Sequence, residues 1–185
     1  GAGANQTLSA YSWKNKWQLA SWLGRINYSL MNRYLFTFTG RADGSSKFGE
    51  DNKWAFFPSF AVAWRMTEEG FMQNQKVFSN LKIRTSYGKT GNSEIGLYRS
   101  LALMGIQSYT FAETVKSTGV GTYLMANPDL KWETTDQFDV GLELGFIDNR
   151  LNFIFDAYIK NTSDLLLVVN LPGTAGYTPP VFDVP

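Results

Sequence analysis

The sequence predicts an all-β protein and, within that class, an antiparallel segment of a transmembrane β-barrel. Three observations point there: strands with one apolar and one polar face, hairpins whose apolar residues fall opposite one another, and connections that are short at 31–33 and 147–150 and moderate at 67–80 on one end, with 44–53 and the long 91–127 at the other.

The Lys131–Lys160 stretch shows the first two together. On its first arm the even positions hold Trp132, Phe138, Val140, Leu142, Leu144 and Phe146, and the odd positions hold Lys131, Glu133, Gln137, Asp139, Gly141 and Glu143. Side chains alternate across a strand, so one face is apolar and the other is not. Asp148-Asn149 marks a turn, and the return arm places Leu151, Phe153, Phe155, Ala157 and Ile159 on one face. With Ile147–Arg150 as a four-residue turn, Phe146 faces Leu151, Leu144 faces Phe153, Leu142 faces Phe155, Val140 faces Ala157 and Phe138 faces Ile159. Glu143 against Ile154 is the poor fit on the opposite face.

Length favours a membrane. The apolar band covers about 9 residues, which at about 3.3 Å each and a tilt near 45° span roughly 21 Å of the membrane normal. Transmembrane barrels carry an outer apolar band about 25 Å tall. The competing reading is a soluble β-sandwich that binds carbohydrate through surface aromatics, although strands of soluble proteins are typically about 5–6 residues long.

Taken in order, the chain opens with a loop over Gly1–Lys16 and then a strand at 17–30. Met31-Asn32-Arg33 turns into a strand at 34–43, with Tyr28 facing Phe36, Ile26 facing Phe38, Gly24 facing Gly40 and Trp22 facing Ala42, while Arg25 meets Thr39 on the other side. After a polar connection comes a strand at 54–66, where Pro58 suggests a bulge because it lacks a backbone donor. Thr67 is placed to cap a short helical turn through Phe71-Met72. Further strands follow at 81–90, 130–146 and 151–163. Residues 91–127 carry no sustained period and read as a long outer loop. Trp54 and Trp132, near strand ends, fit an outer aromatic girdle. Six strands are too few to close such a barrel, so this is part of a larger sheet with both edges open.

Composition narrows the chemistry. A net charge of +1 gives no general attraction to nucleic acid. The absence of Cys and His removes disulfides, thiolate ligands and the commonest general base. Aromatics make up 16% of the chain, an excess that barrel girdles or a sugar-binding sheet would each explain.

Four stretches resemble one family, the SusC/RagA branch of TonB-dependent outer-membrane transporters. They are Asn32-Arg33-Tyr34-Leu35 leading to Arg41-Ala42-Asp43-Gly44-Ser45-Ser46-Lys47-Phe48-Gly49; Trp54-Ala55-Phe56-Phe57-Pro58-Ser59 leading to Ala63-Trp64-Arg65; Ser79-Asn80-Leu81-Lys82-Ile83-Arg84-Thr85-Ser86-Tyr87-Gly88 with Thr90-Gly91-Asn92; and Asn127-Pro128-Asp129-Leu130-Lys131-Trp132-Glu133-Thr134. The resemblance runs from about Ser21 to Tyr177. It implies a segment of the later part of a barrel of about 22 strands with a plugged lumen. It also implies import of oligosaccharides or peptides across the bacterial outer membrane, with a SusD-like surface lipoprotein as lid and TonB pulling on the plug. The resemblance calls for no cofactor. The family's plug domain and TonB-binding segment have no counterpart in these 185 residues, so the expectation is a piece of a longer transporter.

Site residues are sparse in the sequence. Tyr98, Tyr109, Phe111 and Tyr123 in the long loop are candidates for stacking on sugar rings or packing on the lid; the alternative is that they fasten the loop to itself. Arg41-Ala42-Asp43-Gly44-Ser45-Ser46 lacks the spacing of a calcium or phosphate loop and reads as a strand end. Glu133, Asp139 and Glu143 share a strand face at a spacing compatible with glycoside hydrolysis, but carboxylates are ordinary in a wet barrel interior. No catalytic residue and no metal site is expected.

The face assignment is testable in the assembled protein. Leu142→Arg puts a charge on the lipid face and costs about 2–4 kcal/mol at mid-membrane, so assembly yield falls sharply. Gln137→Arg, on the other face, assembles far better; equal yields would overturn the assignment.

Overall fold

Period-two alternation carried through long strands lays down one antiparallel sheet. A computed structural model describes residues 12–111, 115–169 and 181–182. Among these, β1 (Leu19–Leu30), β2 (Tyr34–Ser45), β3 (Trp54–Arg65), β4 (Phe78–Asn92), β7 (Glu133–Phe146) and β8 (Leu151–Ser163) form a six-stranded sheet in that spatial order. Between β4 and β7 lies a separate hairpin of β5 (Leu103–Phe111) and β6 (Val115–Leu124). Two-residue strands β9 (Val168–Val169) and β10 (Val181–Phe182) pair with each other.

The hairpin registers follow from the apolar pairing. Phe146 pairs with Leu151, Leu144 with Phe153, Leu142 with Phe155, Val140 with Ala157 and Phe138 with Ile159. Tyr28 pairs with Phe36, Ile26 with Phe38 and Trp22 with Ala42. Both turns reverse the chain through left-handed residues, Met31 (φ 52°) and Asn32 (φ 55°) in one, Ile147 (φ 53°), Asp148 (φ 54°) and Asn149 (φ 61°) in the other. The β-branched Ile147 is an uncommon occupant of that region.

The apolar face carries a record of strand tilt. One hydrogen-bonded row runs Ile26–Phe38–Phe60–Tyr87–Phe138–Ile159 across the sheet. The apolar run on β1, Trp22 to Leu30, is centred on Ile26, whereas that on β8, Leu151 to Ile159, is centred on Phe155, four residues from the row partner Ile159. A drift of four residues is about 13 Å over five strand spacings of about 4.8 Å, a slant of about 30°. Strands crossing a flat slab at the 35–45° of membrane barrels produce such a slant. The same face is open: Trp22, Ile26, Phe155 and Ile159 are each more than half exposed.

Burial is concentrated at one end of the sheet, opposite the short turns. Pro58 is responsible for the geometry. The β2–β3 ladder continues through Gly40 and Pro58, but the β3–β4 ladder stops at Ser59 and Gly88, one residue short of the proline. Proline has no N–H to offer that neighbour. The expected bulge is absent, since neither ladder shifts register; the two strands part instead. β4 goes on beside β7 to Asn92 and Glu133.

The parting is filled by Phe48, Phe57, Ile95, Leu130 and Trp132, all buried. The Phe57 ring lies where a side chain on Gly91 would be. Trp132 packs on Phe48 at 5.1 Å and edge-on to Phe57 at 5.6 Å, and its indole N–H donates to the Lys53 carbonyl at 3.0 Å. Trp132 therefore does not belong to the outer girdle: β7 begins only at Glu133, so the strand alternation does not reach it, and it is 5% exposed. Trp54 is exposed and lies over Gly44.

At the opposite end, Tyr34 and Trp64 stack at 6.2 Å on the apolar face. Glu69, in the β3–β4 turn, accepts from the Tyr34 hydroxyl (2.8 Å), the Trp64 indole (3.1 Å) and Arg33 (3.1 Å). Thr67 lies inside a short 3-10 turn, Met66–Glu68, that has no side-chain cap, so the expected capping is not observed. Its hydroxyl is not what holds this turn; Glu69 ties the turn to the sheet. The region expected as a structureless loop also differs, since β5 and β6 occupy much of it. Gly105, Gly119 and Gly121 in those strands leave little alternation to detect.

Two outcomes follow in the complete protein. Gly49→Ala drives a methyl into the Pro128 carbonyl and lowers the melting temperature, while Gly24→Ala, with nothing near its Cβ, is nearly neutral. The Tyr34 hydrogen bond, then that of Trp64, hold the Glu69 carboxyl below its ordinary value of 4.5. A lowered carboxylate stabilises the fold above that value and ceases to as pH falls through the lowered one. Glu69→Gln should therefore melt earlier at neutral pH and lose less on acidification.

Candidate functional site

The face opposite the apolar one presents the chain's polar chemistry, and strand register decides which groups meet. Lys82 on β4 sits opposite Glu143 on β7 and donates to it at 3.1 Å. Arg84 reaches further. It is opposite Gly141, and beyond Gly141 on β8 stands Asp156. Arg84 Nη2 meets both oxygens of Asp156, at 2.6 and 2.8 Å, passing over the intervening strand. A side chain at Gly141 would collide with both partners, so glycine there is what allows an ion pair to bridge two strands. Both groups are about half exposed, and such pairs are worth only about 0–1 kcal/mol. Their weight is in placing charge on the wall.

The three carboxylates considered for hydrolysis are held separately. Glu143 is engaged by Lys82 and, at 3.7 Å, by Arg84. Asp139 accepts from Gln137 at 2.8 Å and Ser86 at 3.3 Å. Glu133 accepts from Asn92 at 3.2 Å and from the Leu166 backbone at 3.1 Å. Among the described residues, no group of three acidic, His or Cys side chains comes together as a cation site.

Among the described residues, two concavities of this face bear on the site. One, of about 610 Å³, is lined by Leu35, Thr37, Ala61, Ala63, Arg84, Asp139 and Asp156. The other, of about 520 Å³, lies nearer the end with the long connections and is lined by Leu19, Leu23, Arg25, Thr39, Arg41, Phe57, Ser59, Thr90, Asn92 and Glu94. In it, Arg25 Nε donates to Thr39 Oγ1 at 3.1 Å and Arg41 Nε to Asp43 Oδ1 at 2.7 Å. Asp43 and Ser45, from the stretch read as a strand end rather than an ion loop, are buried at the end of β2, where Ser45 Oγ accepts from the Lys47 backbone at 3.3 Å.

Of the loop aromatics, Tyr98 is left-handed (φ 61°), and its hydroxyl accepts from the Lys16 N–H at 3.2 Å, tying the connection to the segment before β1. Tyr109 and Phe111 fall in β5 and Tyr123 in β6; their side chains lie outside the described residues. Sequence reasoning paired Arg25 with Thr39 but did not single out Arg41, Arg84 or Asp156 as a group. Their common face is visible in the alternation, but their neighbours come from strands far apart in sequence.

Comparison with known proteins adds the following. The model of the TonB dependent receptor-like β-barrel family matches residues 2–182. TonB-dependent receptor P26 of Formosa agariphila is 45% identical over 160 residues, covering 86% of this chain and 16% of that protein. TonB-dependent receptor SusC of Bacteroides thetaiotaomicron is 43% identical over 169 residues, covering 89% of this chain and 16% of that protein. Among solved structures, the RagAB peptide transporter superposes with a TM-score of 0.78 at 34% identity, over 90% of this chain and 18% of the matched one. The chain thus spans about a sixth of the length of these relatives.

Proposed function

The chain belongs to the TonB-dependent receptor β-barrel family, and from that membership we propose that it is a wall segment of an importer in the bacterial outer membrane. The cargo is an oligosaccharide or a peptide. A SusD-like lipoprotein closes the mouth, and TonB acts on a plug carried elsewhere in the longer protein.

The observation that carries this reading is a sheet with two solvents. Its apolar face is continuous, uncovered and slanted across the strands, which suits lipid at the tilt of a membrane barrel. Its other face holds ion pairs and concavities, which suits a wet lumen. The end with short turns faces the periplasm and the end with long connections faces outward.

In this arrangement the wall has three tasks. The apolar face anchors the protein in lipid. The polar face lines the lumen and meets cargo and plug through Arg25, Arg41, Arg84 and Asp156. The outer connections meet the lid or cargo, with Tyr98, Tyr109, Phe111 and Tyr123 as the aromatic contacts. A soluble sugar-binding sandwich is disfavoured because it would bury the face that this sheet leaves open.

The test is uptake. Cells carrying the complete gene should accumulate a labelled oligosaccharide or oligopeptide, and removal of the gene or of TonB should abolish it. A polypeptide extracted in water without detergent, with uptake unaffected by its loss, would overturn the reading.

A further inference from the structure

We propose that the outer part of the lumen wall carries a carboxylate-binding subsite built on Arg25 and Arg41, and hence that the cargo includes acidic oligomers. The inference rests on the importer reading and specifies its substrate class.

Arg25 is opposite Thr39 in the β1–β2 ladder, and Arg41 is two residues beyond Thr39 on the same face. The two are diagonal neighbours, about 7–8 Å apart along the backbone. Each uses only its Nε, toward Thr39 at 3.1 Å and toward Asp43 at 2.7 Å. Such an anchor sets the plane of the guanidinium and leaves the terminal nitrogens of both residues without a partner among the described residues. Both residues line the concavity of about 520 Å³, a volume in the range of small-molecule sites.

The surroundings favour an acidic ligand over a structural role. Asp43 is buried and ion-paired with Arg41 through Nε, which offsets part of that charge while leaving the terminal nitrogens as donors. Lys89 adds no charge to the concavity: its place in the ladder, two residues beyond Tyr87, sets its side chain on the opposite face, where it is paired with Asp136 at 3.5 Å. Glu94, at the same concavity, is the remaining counter-charge and discourages a densely anionic ligand. Two preset planar forks match single carboxylates, each held by two parallel hydrogen bonds, which a neutral hydroxyl cannot reproduce. A uronic acid of an oligosaccharide and an acidic side chain or C-terminus of a peptide present the same group. A carboxylate of the protein's own plug would too, and the experiment separates these sources.

The complete transporter, purified in detergent with its lipoprotein, is titrated calorimetrically with two matched pairs. One pair is tetragalacturonic acid and its methyl ester; the other is a hexapeptide containing two glutamates, with an amidated C-terminus, and its glutamine counterpart. At least one acid should bind more tightly than its neutral partner. Arg25→Gln with Arg41→Gln should weaken that acid by about tenfold or more and weaken the neutral partner far less. Arg25→Lys with Arg41→Lys keeps the charge without the fork and should recover only part. Absence of an acid preference in both pairs overturns the subsite. So does equal weakening of acid and neutral probes, or a lowered melting temperature with the preference intact, which would assign the arginines to plug or fold. Uptake is scored separately in cells: uptake intact without acid preference sinks the subsite alone, whereas no uptake by the wild type sinks the importer reading.

Discussion

A sheet that crosses a membrane must satisfy every backbone donor and acceptor within itself, and Pro58 breaks that rule at one place. The missing N–H falls on the β4 side, where the ladder ends at Ser59 and Gly88. The break lies toward the end with the long connections, where the chain leaves the apolar band. The parted strands are bridged there by packing, with Phe57 on Gly91 and Trp132 between Phe48 and Phe57. The four stretches that carry the family resemblance supply these groups in turn: Phe48 and Gly49, then Phe57, then Gly91, then Leu130 and Trp132. Their shared pattern has a physical reason, since each contributes a part of one plug of side chains under the outer connections.

The rest of the sheet depends on keeping two solvents apart. The apolar rows give no reason for a compact fold in water, and the buried core is small for a chain of 185 residues. What holds the strands is hydrogen bonding along long, regular ladders, with the aromatic pair Tyr34 and Trp64 and the Glu69 clamp at one boundary and the aromatic core at the other. Glycine has opposite uses on the two faces. Gly44 accepts the Trp54 ring on the apolar side, and Gly141 lets Arg84 reach Asp156 on the polar side.

The chain spans about a sixth of the length of the curated relatives it matches. Among its described residues the acidic side chains Glu133, Asp139 and Glu143 of β7 are each held by different partners. Its polar face carries charges paired across neighbouring strands, Lys82 with Glu143 and Arg84 with Asp156.

The sequence by itself determined the six strands of the large sheet and the faces and registers of its two tight hairpins, because alternation has a period of two and each hairpin tests its own pairing through residues such as Leu142 opposite Phe155. It also carried the family. Only the tertiary structure decided where Trp132 goes, how Pro58 parts β3 from β4, and that β5 and β6 form a hairpin in the long connection. It alone brought Arg84 to Asp156, 72 residues away, and set Arg25 beside Arg41 in one concavity. These depend on which strand lies next to which, and on backbone and glycine gaps between strands distant in sequence, for which no local period leaves a sign.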